Sequence, residues 1–297
     1  MPFAYGLLDP VELSLPRLPA ALDGLRVAHI SDLHVRRPTR LFDRLANQLT
    51  SVRLDLIVLT GDYMEDPGHE PAAIDVLARI LAGTRPRLGA FGVFGNHDTW
   101  DLRQRAAALP VTWLNDARVA LADGQIELAG GLTSSADRPD SVGLILTRPQ
   151  RVASPAPGVT PPDTAPARPA AREADVAAND APAGDEAAPL RVLLTHFPSH
   201  VFTAADLGYH LLLAGHTHGG QCRLPTGHPL TNSTDLPLRA TSGVLRHRDT
   251  LAGVSRGVGH AGHIPRVFCR PHVPVYTLRR RTMPGIHAPL IDNLHRW

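Results

Sequence analysis

The chain has 297 residues, 43% of them hydrophobic and 20% charged, with a formal net charge of +2. Nearly balanced charge gives no sign of the basic footprint of a nucleic-acid binder, and two cysteines, Cys222 and Cys269, are too few for a disulfide scaffold. No stretch approaches the roughly 18 continuous apolar residues that a membrane span needs.

In chain order, residues 1–24 read as a lead-in; Met1 to Asp9 has neither the basic start nor the apolar run of a signal peptide. Leu25 to Ile30 is short, apolar and partly β-branched, which predicts a buried strand ending at Ser31-Asp32. Leu41, Leu45 and Leu49 at four-residue spacing predict an amphipathic helix over about Arg40 to Val52. Leu54 to Leu59 reads as a second strand, ending at Gly61-Asp62, and Pro71 to Leu81 as a helix with proline in its first turn. Ala90 to Phe94 is a third strand, ending at Gly95-Asn96-His97-Asp98, and Arg118 to Gly130 is a hairpin turning at Ala122 to Gln125.

The chain then changes character. Residues 151–189 hold 13 alanines and 8 prolines, with no leucine, isoleucine, methionine or aromatic residue. Such a stretch buries too little apolar surface to offset the entropy of ordering it. About 136–189 is therefore expected to be a disordered insertion in a surface loop, with a domain linker as the alternative. Leu190 to Leu194 resumes the pattern before Thr195-His196, and His210 to Ala214 runs into Gly215-His216-Thr217-His218-Gly219-Gly220. The last third, with Val254 to Gly259 and Val273 to Arg279, reads as β structure closing a second sheet.

Strand–helix alternation predicts an α/β fold, whose sites gather at the carboxyl ends of strands. Five such ends present Asp32 with His34, Asp62, Asn96 with His97, His196, and His216 with His218. Alternation in Asp32-Leu33-His34 and His216-Thr217-His218 places each polar pair on one side of an extended backbone. Carboxylate, amide and imidazole together suit manganese, iron or zinc, and seven such residues exceed what one catalytic ion takes. They are about right for two divalent metal ions sharing one carboxylate. Gly61, Gly95, Gly215, Gly219 and Gly220 would let the backbone turn sharply beside them. The other eleven histidines, among them His228, His247, His260 and His263, read as surface or rim residues.

The five blocks, in this order, resemble the calcineurin-like metallophosphoesterase superfamily. Ile30 to His34, Gly215 to Gln221, Ser255 to Gly259 and Pro274 to Leu278 resemble its bacterial membrane-associated phosphodiesterase-like branch. The resemblance covers about residues 20–135 and 190–280. It implies the metallophosphatase fold, a four-layer α/β/β/α sandwich of two mixed β-sheets flanked by helices, forming one domain over 25–297 around the insertion. It further implies that Asp32, His34 and His218 hold one ion, that Asn96, His196 and His216 hold the other, and that Asp62 bridges them. His97 would be a non-ligand that gives a proton to the leaving oxygen. Glu65 stands where many relatives carry an aspartate that orients this histidine, and Asp98 is a second candidate support. Tyr63 comes too early in the chain for an iron-tyrosinate centre. Arg256, inside a resembling stretch, is the candidate substrate contact; Arg246 reads as surface.

The expected activity is hydrolysis of phosphate esters, phosphodiesters first, by a hydroxide bridging the two ions. A pyrophosphate-bond hydrolase of a nucleotide-linked lipid precursor, of the UDP-diacylglucosamine type, is the alternative. A metal-binding scaffold without activity is the third, disfavoured because all seven ligand positions and His97 are filled. Relatives in this branch often carry an anchor or export signal at the N-terminus, and this chain shows neither. A soluble protein in the cytoplasm is expected, with reduced cysteines and at most peripheral contact with the inner face of the membrane. No nucleic-acid partner is expected.

Overall fold

The computed structural model describes residues 6–131 and 188–280. The expected insertion at about 136–189 falls, but for its last two residues, outside the described residues. Twelve strands are described: β1 (Leu8–Ser14), β2 (Arg26–Ile30), β3 (Leu56–Thr60), β4 (Ala90–Val93), β5 (Thr112–Trp113), β6 (Ala117–Leu121), β7 (Ile126–Gly130), β8 (Leu190–Leu194), β9 (Leu211–Ala214), β10 (Gly243–His247), β11 (Thr250–Val254) and β12 (Val273–Arg279). The helices are α1 (Arg40–Thr50), α2 (Glu70–Ala82), α3 (Trp100–Ala106) and α4 (Val201–Asp206).

The strands form two mixed six-stranded sheets, ordered β1-β12-β2-β3-β4-β5 and β10-β11-β9-β8-β7-β6. In the first, β2 to β5 run parallel and β12 runs antiparallel to β2. In the second, β7, β8, β9 and β11 are parallel, flanked by antiparallel β6 and β10.

Strand β3 shows why the layers stack. All five of its residues are buried, the near-continuous apolar run of a strand covered on both faces. Leu56 and Val58 enter a core between the sheets, beside Leu128, Val192, Leu194 and Leu213. Ile57 and Leu59 point the other way, onto Phe42, Leu45 and Leu49 of α1 and Val76, Leu77 and Ile80 of α2. The second sheet repeats the scheme, with Leu193, Leu212 and Ala252 against Val201 and Ala204 of α4. Each aliphatic side chain closed off in this way contributes about 1.5–3 kcal/mol. The four-layer α/β/β/α sandwich follows.

Two elements differ from expectation. Val273–Arg279 does not close the second sheet; it lies in the first, between β1 and β2. Its two faces are both apolar, Val273 and Val275 toward the helices and Tyr276 and Leu278 toward the other sheet, so side-chain pattern alone cannot assign its sheet. Residues 255–259 form a loop after β11 and not a strand. The lead-in segment contributes β1, paired in parallel with β12 from Leu8 to Ser14. Among the described residues no helix is long and apolar enough to cross a membrane.

Candidate metal centre

The carboxyl ends of β2, β3 and β4 meet those of β8 and β9, and all five predicted loops converge there. Asp32, His34, Asp62, His216 and His218 all have positive φ, between 41° and 69°. The alternating pairs are therefore not on extended backbone. Curled loops turn Leu33 into the helix-side core and commit the Thr217 hydroxyl to the Thr241 carbonyl (2.5 Å), while their neighbours face the cleft. Each left-handed non-glycine residue costs roughly 1–2 kcal/mol.

The first-sheet loops are held to each other by main chain. Asp32 N–H donates to Gly61 O (2.9 Å) and His34 N–H to Asp62 O (3.0 Å). The buried Asp98 carboxylate accepts from the N–H groups of Asp62 (2.9 Å), Tyr63 (2.7 Å) and Gly95 (2.7 Å). Asp98 thus supports the Asp62 loop and not the His97 ring. Gly95 and Gly215 serve close approach more than turning: a Cβ on Gly95 would lie 2.1 Å from Asp62 Oδ1, and one on Gly215 would lie 1.9 Å from Ser31 Oγ and 2.3 Å from Asp32 Oδ2.

Two groups of side chains result. One atom each of Asp32, His34 and His218 lies within 4.8 Å of the others, and the same holds for Asp62, His196 and His216. Asp62 Oδ2 stands between them, 3.4 Å from His34 Nε2 and 3.1 Å from His196 Nε2. His218 Nε2 is 3.6 Å from Asp32 Oδ1, and His216 Nδ1 is 3.3 Å from His196 Nε2. Asn96 is exposed and lines the same cleft, of about 330 Å³, with Asp62, His97 and His216.

These residues fit metal ions. Asp32 Oδ2 and His34 Nε2 are buried with no hydrogen-bond partner, a costly state for polar atoms unless a cation completes them. The far nitrogens are engaged in the way that aims ligating imidazoles. His196 Nδ1 donates to Thr60 O (2.7 Å), His216 Nε2 to Ser233 O (3.2 Å), and His34 Nδ1 to Glu65 Oε2 (2.5 Å). His218 is the exception, since its Nδ1 meets the Arg266 guanidinium at 3.4 Å.

Electrostatics divides the imidazoles within each group. Burial opposes charge on His34, yet the Asp62 and Glu65 carboxylates raise its pKa to about 10. Burial likewise opposes charge on His196, and Asp62 raises it to about 9. Their companions go the other way: burial and the neighbouring His34 hold His218 well below the usual range, and burial and His196 bring His216 down to about 4. Burial works against ionised Asp62 too, but His196 and His34 keep it well below the ordinary carboxylate range. In each group, then, one imidazole favours the proton and its companion disfavours it, and a metal ion would compete with protons for the same nitrogens.

His97 lies beside both groups. Its N–H donates to Asp62 Oδ1 (2.9 Å) and its Nδ1 to the Glu65 carbonyl (2.7 Å). Glu65 therefore steadies His97 through its backbone, while its side chain serves His34. One atom each of His34, Glu65 and His97 also lies within 4.8 Å of the others. Glu65, however, sits on the Nδ1 side of His34, away from Asp62, bound to Arg36 (2.9 Å) and to the N–H of Gly262 (2.6 Å). Arg256 does not line the cleft. It lies behind Gly219, near Arg223, and its Nε is buried without a partner. Tyr63 is fully buried and donates to Val93 O (2.6 Å). Both cysteines are free thiols, Cys269 buried and Cys222 half-buried. The sequence reading misses Arg36, Thr60, Ser233 and Arg266, which act on the imidazoles from positions that carry no local pattern.

A family model described as calcineurin-like phosphoesterase matches residues 25–220. The chain is 26% identical over 275 residues to the uncharacterized metallophosphoesterase YkuE of Bacillus subtilis, covering 88% of this chain and 82% of that one. It is 30% identical over 121 residues to the UDP-2,3-diacylglucosamine pyrophosphatase LpxG of Chlamydia muridarum, 38% of this chain and 36% of that one. It is 35% identical over 98 residues to the phosphodiesterase YaeI of Escherichia coli, 33% of this chain and 35% of that one.

Proposed function

The chain belongs to the calcineurin-like phosphoesterase family, and we propose that it hydrolyses phosphodiesters with two divalent ions shared across Asp62. The observation that carries this reading is the position of Asp62 Oδ2 between the two groups, 3.4 Å and 3.1 Å from one imidazole of each. Asp32, His34 and His218 would hold one ion and Asn96, His196 and His216 the other, with manganese, iron or zinc the chemically suited choices. When bound, such ions acidify water and draw charge from phosphoryl oxygens.

The chain's own groups do the rest. Asp62 is fixed for its shared role because its Oδ1 accepts the His97 N–H. His97 Nδ1 must carry a proton, since its partner is a carbonyl oxygen. That leaves Nε2 as the ring atom for the cleft, and as an imidazolium it would protonate the leaving oxygen, worth about 10²–10⁴-fold in rate. A cytoplasmic site of action belongs to the proposal, favoured by two unpaired thiols, as reducing compartments keep them.

The test is hydrolysis of bis-p-nitrophenyl phosphate against p-nitrophenyl phosphate, using metal-stripped chain with and without added manganese. Metal-dependent preference for the diester, reduced about 10²-fold or more in His97→Ala, supports the reading. Turnover indifferent to metal removal would sink it. A second reading, cleavage of a pyrophosphate bond in a nucleotide-linked lipid, is favoured by the likeness to LpxG. It predicts hydrolysis of such a lipid with weak action on either nitrophenyl ester.

A further inference from the structure

Seven large hydrophobic side chains stand exposed among the described residues, and five of them lie on two loops beside the cleft: Leu224 (44%), Leu230 (56%), Ile264 (60%), Val267 (41%) and Phe268 (65%). The loops are stitched into one ribbon. Cys222 pairs with Val267 in parallel and Arg223 with Pro229 in antiparallel fashion. Leu230 N–H donates to Cys222 O (2.9 Å), and Val267 N–H to Gln221 O (3.1 Å). Strand pleat then puts Leu224, Leu230 and Val267 on one face with Cys222. Arg223 lies on the other face and turns inward, to Gly219 O (2.7 Å) and Ser242 Oγ (2.6 Å).

This ribbon is the lip of the cleft. Gly220 and Gln221 at its start, Thr231 to Ser233 beyond Leu230, and Ala261 on the second loop all line the cavity that holds Asp62 and His97. The lip is also basic. Residues 221–236 and 260–270 contain Arg223, Arg266 and Arg270 against a single carboxylate, the exposed Asp235. Arg223 and Arg266 lie under the apolar face, bound to main-chain carbonyls, while Arg270, His228 and His263 are exposed. Apolar side chains backed by cations match an anionic interface, where burial and charge attraction add. A second copy would meet the lip with the same excess of positive charge, because a two-fold contact sets like patches together.

We propose that this lip seats the cleft on the surface of an anionic phospholipid bilayer, so that the metal centre meets phosphate esters presented from the membrane. What the cleft does there rests on the phosphoesterase reading; the docking does not. The test is co-sedimentation of the full chain with vesicles of phosphatidylglycerol mixed with phosphatidylcholine, and with phosphatidylcholine alone. The variant carries Leu230→Ser and Phe268→Asn; asparagine tolerates the φ of 51° found at Phe268. Wild type is expected to bind the anionic vesicles roughly tenfold or more above the neutral ones, and the variant to lose roughly tenfold. The variant should keep its thermal melt and its hydrolysis of bis-p-nitrophenyl phosphate. Equal sedimentation of wild type and variant, or of both vesicle types, would overturn the docking. So would a dimer in light scattering that the substitutions dissolve. Loss of soluble-ester hydrolysis in both chains would strike the phosphoesterase reading alone, with the vesicle result still deciding the docking.

Discussion

The two sheets build their halves of the centre by different means. The first supplies Asp32, His34, Asp62, Asn96 and His97 on loops fastened by main-chain hydrogen bonds and by Asp98, which gathers three N–H groups. The second supplies His196, His216 and His218, which lean on the first: His196 on Thr60 O and the His216 N–H on Asp32 Oδ1 (2.9 Å). One half is a frame set before any ion arrives. The other is registered against it, through contacts that cross the seam between the sheets. In a preorganised site such order counts, because aim is fixed before charge develops.

Asp62→Ala should break the comparison most completely, since it removes the one carboxylate both groups share. We expect loss of both ions by elemental analysis and a fall in kcat/KM on the order of a thousandfold, the several kcal/mol a metal pair supplies. Wild-type metal content in that variant would refute the shared role. Glu65→Gln tests how far the frame extends. The amide cannot match the charge on His34 Nδ1, and metal affinity should fall roughly 10–100-fold by competition titration. The melt of the metal-free chain should fall too, because the same carboxylate pairs with Arg36. Gly215→Ala attacks the seam itself, because its Cβ would press on Ser31 and Asp32. Overpacking there should cost about 1–3 kcal/mol in urea unfolding, whereas an unchanged midpoint would mean that the sheets slide freely.

The mildest test concerns His29 of β2, fully buried, with Nε2 on Thr60 Oγ1 (2.8 Å). Burial depresses its pKa from 6.5 to about 3. The unfolded chain therefore takes the proton first, so this contribution is whole above pH 6.5 and lost as pH falls toward 3. Metal-free wild type should lose up to about 1.4 kcal/mol per pH unit more across that window than His29→Gln. Parallel losses would mean that the frame tolerates a charge there.

Most of the frame was legible in the sequence because its strands are short apolar runs ending in chemistry-bearing residues. Leu56 to Thr60 before Gly61-Asp62 is such a run, and so is Leu211 to Ala214 before Gly215-His216. What escaped was whatever depends on contact between distant segments. The resemblance puts Glu65 behind His97, whereas its carboxylate meets His34 Nδ1 and accepts the N–H of Gly262, nearly two hundred residues away in the chain. Arg256 sits in a suggestive stretch, yet the turn at Gly219 screens it from the cleft. Residue pattern cannot assign strand β12 to its sheet because both of its faces are apolar. The left-handed backbone at Asp32 and His34 leaves no mark in residue type, since neither position is glycine.

That left-handed backbone has a consequence for anyone selecting stabilised variants of this chain. Five candidate metal ligands hold a conformation that glycine or asparagine would adopt more comfortably. Replacing them would release backbone strain and remove crowded buried charge at the same stroke. A screen that rewards heat resistance alone should therefore drift toward a sturdier, empty scaffold, and only a screen that demands turnover would keep the tense loops in place.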